Sequence, residues 1–164
     1  MEFDQYGLIQ PDRRHKISSE KFKEAFVDSF SNSETRSQIY SNYLNFTDSF
    51  SKEVTSSFAQ WIGGSFTTQK ENPNDIDVLT ILSKSDYERN KILMESKFNK
   101  RAKLFPFVDS YFLQAPATLD SNDPLFKSDL VYWVHQFSYT RKNRKGRRQS
   151  RGYIEIIFNS FSYE

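Results

Sequence analysis

Apolar residues recur along the chain with two different periods. Phe22, Phe26 and Phe30 return every fourth residue, which places them on one stripe of a short helix over 19–30. Ser31-x-x-Glu34 has the form of a capping box and predicts a second, longer helix from that point. Its core face would be Ile39, Tyr43, Phe46, Phe50 and Val54, and it would end before Gln60. The pattern then changes. FAQWIGG, residues 58–64, reads as a short strand closed by two glycines. Asn72-Pro73-Asn74 signals a turn, and DIDVLTIL follows it as a strongly apolar strand. Ser85-x-x-Glu88 is another capping box, predicting a helix that carries Tyr87, Met94 and Phe98. Residues 107–113 predict a third strand, 125–137 a helix, and GYIEIIF at 152–158 a fourth strand. Residues 1–17 read as an extended arm broken at Gly7 and Pro11.

This order predicts an α/β (α+β) fold, a small mixed β-sheet with helices packed on it. A length of 164 residues suits one domain with one core, spanning 1–164. No internal repeat and no linker divides it. The 16 Phe, 9 Tyr and 2 Trp supply the bulk that the aliphatic residues do not, because each aromatic ring buries a large area. Trp61 and Trp133 are therefore read as core residues, and His15 and His135, both isolated, as surface or packing residues.

The absence of cysteine excludes disulfides and thiolate metal sites and fits a cytoplasmic protein. No apolar run approaches the roughly 20 residues of a membrane span, so no membrane partner is expected. The N-terminus has no apolar signal-peptide core. Charge is unevenly placed. Seven of the 23 Lys and Arg fall within residues 141–151, RKNRKGRRQSR, which contain no acid. Such a run is either a solvated loop or a contact for phosphate or RNA, with Arg144, Lys145, Arg147 and Arg148 as the candidate cations.

The candidate chemistry lies in the middle of the chain. Gly63, Gly64 and Ser65 would let an anion approach main-chain N–H groups and would add a hydroxyl donor. Ten residues after Ser65 come Asp75, Ile76 and Asp77. Side chains alternate along a strand, so the two aspartates would share one face, with Cα atoms about 6.5–7 Å apart. Carboxylates at that separation suit Mg²⁺, which takes one or two of them together with substrate phosphates. Asp109, mid-strand between apolar neighbours, would join the pair if its strand lay alongside. Lys70, the first cation after the Gly-Ser step, and the Arg147/Arg148 pair would steady phosphates.

Together these features resemble the DNA polymerase β nucleotidyltransferase superfamily, whose signature is a hydrophobic residue and Gly-Gly/Ser, a spacer, then Asp-hydrophobic-Asp/Glu. Ile62, Gly64, Ser65, Asp75, Ile76 and Asp77 match it, with Asp109 as the third acid; the motif covers about residues 58–113. The chain as a whole also resembles minimal bacterial nucleotidyltransferase-like proteins, through Gly7-Leu8, WIGGSF, PNDIDV and the terminal Gly-Tyr-Ile-Glu-Ile. The resemblance implies a mixed sheet with helices on one side. It also implies Mg²⁺-dependent (or Mn²⁺-dependent) transfer of a nucleoside monophosphate, AMP foremost, from a nucleoside triphosphate. Asp75, Asp77 and Asp109 would be catalytic and metal-holding. The acceptor would be a protein hydroxyl or an RNA end. Small enzymes of this fold act within bacterial toxin–antitoxin or phage-defence pairs, so a partner protein from the same operon is a further expectation. The other expectation is a fold kept for binding nucleotide, RNA or a protein partner without turnover.

Overall fold

The computed structural model describes residues 1–116 and 123–163. Three short strands open the chain: β1 (Glu2–Phe3), β2 (Ile9–Gln10) and β3 (Arg14–Lys16). Helix α1 (Ser19–Lys23) runs straight into a π-helical turn at Glu24–Asp28, and α2 (Arg36–Glu53) follows. Strands β4 (Phe58–Gly63) and β5 (Ile76–Ser83) come next, then helix α3 (Lys84–Leu93) and strand β6 (Val108–Ala115). Helix α4 (Pro124–Ser138) and strand β7 (Tyr153–Phe158) complete the order.

Five strands form one mixed sheet in the order β3-β7-β4-β5-β6. Strand β4 is antiparallel to both β5 and β7, whereas β5–β6 and β3–β7 are parallel pairs. The expected extended arm is thus partly built into the sheet, because β3 forms its edge beside β7. Each strand divides its residues between the two faces of the sheet. Phe58, Ile62, Ile76, Val78, Leu82 and Ile156 pack against Phe22, Phe26, Phe46 and Phe50 from the helices. On the other face Ala59, Trp61, Leu79, Ile81, Leu113 and Tyr153 pack against Phe137 of α4. The expectation of helices on one side therefore gives way to helices on both. The cause is compositional: the second face carries its own apolar set, which exposed to water would lose about 25 cal/mol per Å². No helix among the described residues is long and apolar enough to cross a membrane.

Both capping boxes are displaced from their expected places. Helix α2 begins at Arg36 rather than at residue 31. Ser33 Oγ accepts the Arg36 N–H at 3.2 Å, while Asn72 Oδ1 accepts the Glu34 N–H at 2.8 Å. The turn before β5 has captured the segment that local propensity assigned to the helix. Helix α3 is capped by Ser83, whose Oγ accepts the Asp86 N–H at 3.1 Å, two residues before the expected Ser85. Of the α2 stripe, Ile39, Tyr43, Phe46 and Phe50 are buried as expected, and Val54 is half-buried at the C-cap.

Candidate active site

Strand β4 delivers its two terminal glycines to the end of β5. Gly63 is the cross-strand partner of Asp77. Gly64 then turns away with φ +73°, a conformation that costs any residue with a Cβ. A Cβ built there would overlap the Asp77 carboxylate, so only glycine lets the chain pass so close to that acid. Ser65 opens a single 3₁₀ turn, Ser65–Thr67, that carries the chain away from the sheet. Its carbonyl accepts the Thr68 hydroxyl at 2.8 Å.

The acids sit at the same end of the sheet. Asp77 and Asp109 are Cα partners in the parallel β5–β6 pair, so the two carboxylates leave the sheet on one face, the α4 side. Asp75 lies one residue before β5 and is half-buried. Burial is the main cause that raises the Asp77 pKa above the ordinary carboxylate value, and the charges of Asp75 and Asp109 add to it. Arg151 and Arg141 pull the other way. Among the described residues no hydrogen-bond donor reaches the Asp77 carboxylate. A half-buried acid with two acids beside it and, among the described residues, no donor has the surroundings of a cation ligand.

Among the described residues no three His, Cys, Asp or Glu side chains are arranged to hold a metal ion by themselves. Mg²⁺ does not require that: it is commonly held by one or two carboxylates with the remaining positions taken by phosphate and water. Asp75 and Asp77 fit that role. Both line a cleft of about 500 Å³, together with Gly64, Ser65 and Lys70. Asp109 stands next to Asp77 but outside the cleft lining, with its Oδ2 3.9 Å from Lys100 Nζ.

The opposite wall comes from α4 and the segment after it: Tyr132, Trp133, Gln136, Tyr139, Arg141 and Arg148. Of the four basic-segment candidates, Arg148 faces the cleft, whereas Arg144, Lys145 and Arg147 are exposed and outside its lining. Trp61 is fully buried, as expected, and donates to Glu155 Oε1 and Tyr163. Trp133 is half-buried and forms part of the cleft rather than the closed core.

Two arginines that hold the site in shape escaped the sequence reading. Arg36 is 1% exposed and places all five of its N–H donors on carbonyls. Nη1 reaches Phe26 and Phe66, both at 2.7 Å; Nη2 reaches Thr68 at 2.8 Å and Lys70 at 2.6 Å; Nε reaches Glu71 at 3.3 Å. Four of these acceptors lie in the spacer between Ser65 and Asp75, so one side chain fixes the loop that separates the glycines from the acids. The Phe30 ring lies 3.7 Å from the guanidinium carbon, and burial pushes its pKa down to about 10, still charged at neutral pH. The available signal was position: Arg36 continues the Ile39–Tyr43 stripe backwards, where a solvated residue would not be placed. Arg151 belongs to the basic run in sequence yet is 9% exposed. It donates from Nη1 to the Gly64 carbonyl at 2.7 Å and from Nε to Phe137 at 3.1 Å. Burial lowers its pKa, and Asp77 partly offsets that. Arg151 thereby ties α4 to the glycine turn.

Residues 1–157 match the profile described as a family of unknown function, DUF6932, and the chain belongs to that family. No curated protein and no solved structure matches it.

Proposed function

We propose that the protein is a nucleotidyltransferase that moves a nucleoside monophosphate, AMP foremost, from a nucleoside triphosphate onto an acceptor hydroxyl. The observation that carries this reading is Asp77: a half-buried carboxylate, packed against a glycine turn, flanked by Asp75 and Asp109, and without a donor among the described residues. Gly64, Ser65 and Lys70 lie where they would receive the triphosphate, with Arg141 and Arg148 facing them across the cleft. A bound Mg²⁺ would neutralise phosphate charge and polarise the α-phosphorus. The acceptor oxygen forms a bond to that phosphorus, the bond to the bridging oxygen breaks, and pyrophosphate leaves. The hydroxyl proton passes to a carboxylate, for which Asp109 is placed beside Asp77. Most of the rate enhancement would come from position and charge rather than from a protein nucleophile.

A second reading, a module that binds nucleotide, RNA or a protein partner without turnover, draws on Asp109 lying outside the cleft lining near Lys100. Service in a toxin–antitoxin or phage-defence pair is an extension of the first reading and rests on the sequence resemblance. One experiment separates the readings. The protein is incubated with Mg²⁺, α-labelled nucleoside triphosphates and native cell extract, beside Asp77→Asn. Label on protein or RNA that vanishes in the variant supports transfer. Calorimetric binding without label in either protein supports the binding module.

A further inference from the structure

The basic run is a built element. Tyr139 pairs antiparallel with Ser150, and the Thr140 N–H donates to Gln149 at 2.9 Å. Nearer the tip the Asn143 N–H donates to Arg147 at 2.9 Å, and Asn143 Oδ1 accepts the N–H groups of Lys145 and Arg147. Gly146, at φ +73°, closes the turn. The hairpin displays Arg141, Lys142, Arg144, Lys145, Arg147 and Arg148, all exposed. Among the described residues none of these six forms an ion pair. Six cations held together without an acid repel one another, and an anionic strand would relieve that repulsion.

Aromatic rings continue from the hairpin into the cleft. Tyr132 and Gln136, four residues apart, share one side of the last turns of α4, and Tyr139 follows as its extended C-cap; together they form a ridge along the cleft wall. Tyr132 is 56% exposed and Tyr139 39% exposed, far above what rings in a core show. His135 lies 4.9 Å from Tyr139, and Trp133 stands 5.2 Å from Tyr132. Exposed rings beside an unpaired run of cations are the two components of single-strand recognition: bases stack on the rings while the cations follow the phosphates.

We infer that this ridge and hairpin bind a single-stranded polynucleotide and present its 3′ end to the cleft as the acceptor. The acceptor role rests on the transferase reading; the binding does not. The 3′-hydroxyl oxygen would bond to the α-phosphorus, its proton passing to a site carboxylate and pyrophosphate leaving. A duplex keeps its base faces stacked internally, so it offers the cations phosphates but offers the rings nothing. An acidic peptide would likewise engage the cations alone.

The test uses the full chain, with EDTA and no nucleotide, in fluorescence anisotropy. The probes are a labelled single-stranded 12-nucleotide RNA, the DNA of the same sequence, the matching RNA duplex and poly-glutamate. Single strands should bind at least tenfold more tightly than duplex, with log K falling linearly in log salt. Tyr132→Ala with Tyr139→Ala should weaken single-strand binding by roughly tenfold or more and leave the salt slope unchanged. Arg144→Gln with Arg147→Gln should reduce the slope and keep the single-strand preference. The RNA and DNA arms show which strand is taken. Equal affinity for duplex, retention of poly-glutamate alone, or indifference to the tyrosine changes overturns the inference. In a second arm, Mg²⁺ and labelled triphosphates are added with strands bearing or lacking a 3′-hydroxyl. Label that requires the 3′-hydroxyl supports the acceptor role, and label on protein alone overturns it. Single-strand binding with no label anywhere defeats the transferase reading, and the acceptor role with it, while the binding surface stands.

Discussion

Gly64 and Asp77 occupy one space: a methyl group on the first would overlap the carboxylate of the second. The contact joins the end of β4 to the start of β5 and leaves the cleft floor no slack. Gly64→Ala meets two penalties, a positive φ that disfavours a Cβ and a steric conflict with the acid. Stability should fall by about 1–3 kcal/mol. Nucleotide binding should weaken even where the variant remains folded. A denaturant melt paired with calorimetry against ATP and Mg²⁺ checks both; unchanged affinity would separate the glycine from the site.

Asp77→Asn should move stability in the opposite direction. In the metal-free protein the folded state raises the Asp77 pKa, so it binds more protons than the unfolded chain through that window. Stability therefore declines as pH rises from the ordinary carboxylate range through the raised value, and remains reduced at neutral pH. The asparagine variant escapes this loss. At pH 7 it should be more stable by on the order of 1 kcal/mol, and the advantage should vanish in acid, where the wild-type carboxyl is protonated. Transfer activity should fall about a hundredfold or more, since several kcal/mol of charge stabilisation depend on the acid. Melts at pH 3.5 and 7 in EDTA, beside a label-transfer assay, provide the measurement. A variant less stable than wild type at neutral pH would mark Asp77 as a structural acid.

Arg36→Lys keeps the charge and loses the fan of donors. A single ammonium cannot reach carbonyls on Phe26, Phe66, Thr68, Lys70 and Glu71 at once. The carbonyls left unpaired should cost about 2–4 kcal/mol. Amide hydrogen exchange should accelerate most in residues 66–71. Uniform acceleration over the whole chain would mean that Arg36 supports the core rather than the loop.

Arg151→Met preserves much of the volume and removes the link from α4 to Gly64. It also removes a nearby positive charge that holds the Asp77 pKa down. The Asp77 carboxyl should then titrate at higher pH than in wild type, and the stability lost between acid and neutral pH should grow. NMR titration of the Asp77 side chain reads the shift directly. A downward or absent shift would contradict the placement of Arg151.

Strands and helix faces were legible where a period was long and unbroken. Phe46 and Phe50 lie on the stripe a four-residue repeat placed them on, and Trp61, Ile62 and Val78 through Leu82 lie in the strands their apolar runs marked. The Asp77–Asp109 pairing was legible only as a condition, that the two apolar strands lie side by side, which β5 and β6 do. The start of α2 was not, because Asn72, distant in sequence, supplies the acceptor that fixes residues 33–34. Nor could the basic run be divided by inspection. Arg151 and Arg148 differ in burial through the strand register that begins at Tyr153, and composition carries no register.

Strand β3 at residues 14–16 finds its sheet neighbour in β7 at 153–158, about 140 residues later. During synthesis β3 must therefore wait for nearly the whole chain. Arg151, which braces the glycine turn, emerges beside that late strand. The helical layer and the β4–β5 hairpin can assemble earlier from nearer neighbours. Closure of the cleft then becomes a terminal event of folding, and a nascent or truncated chain carries the acids without the clamp that orders them.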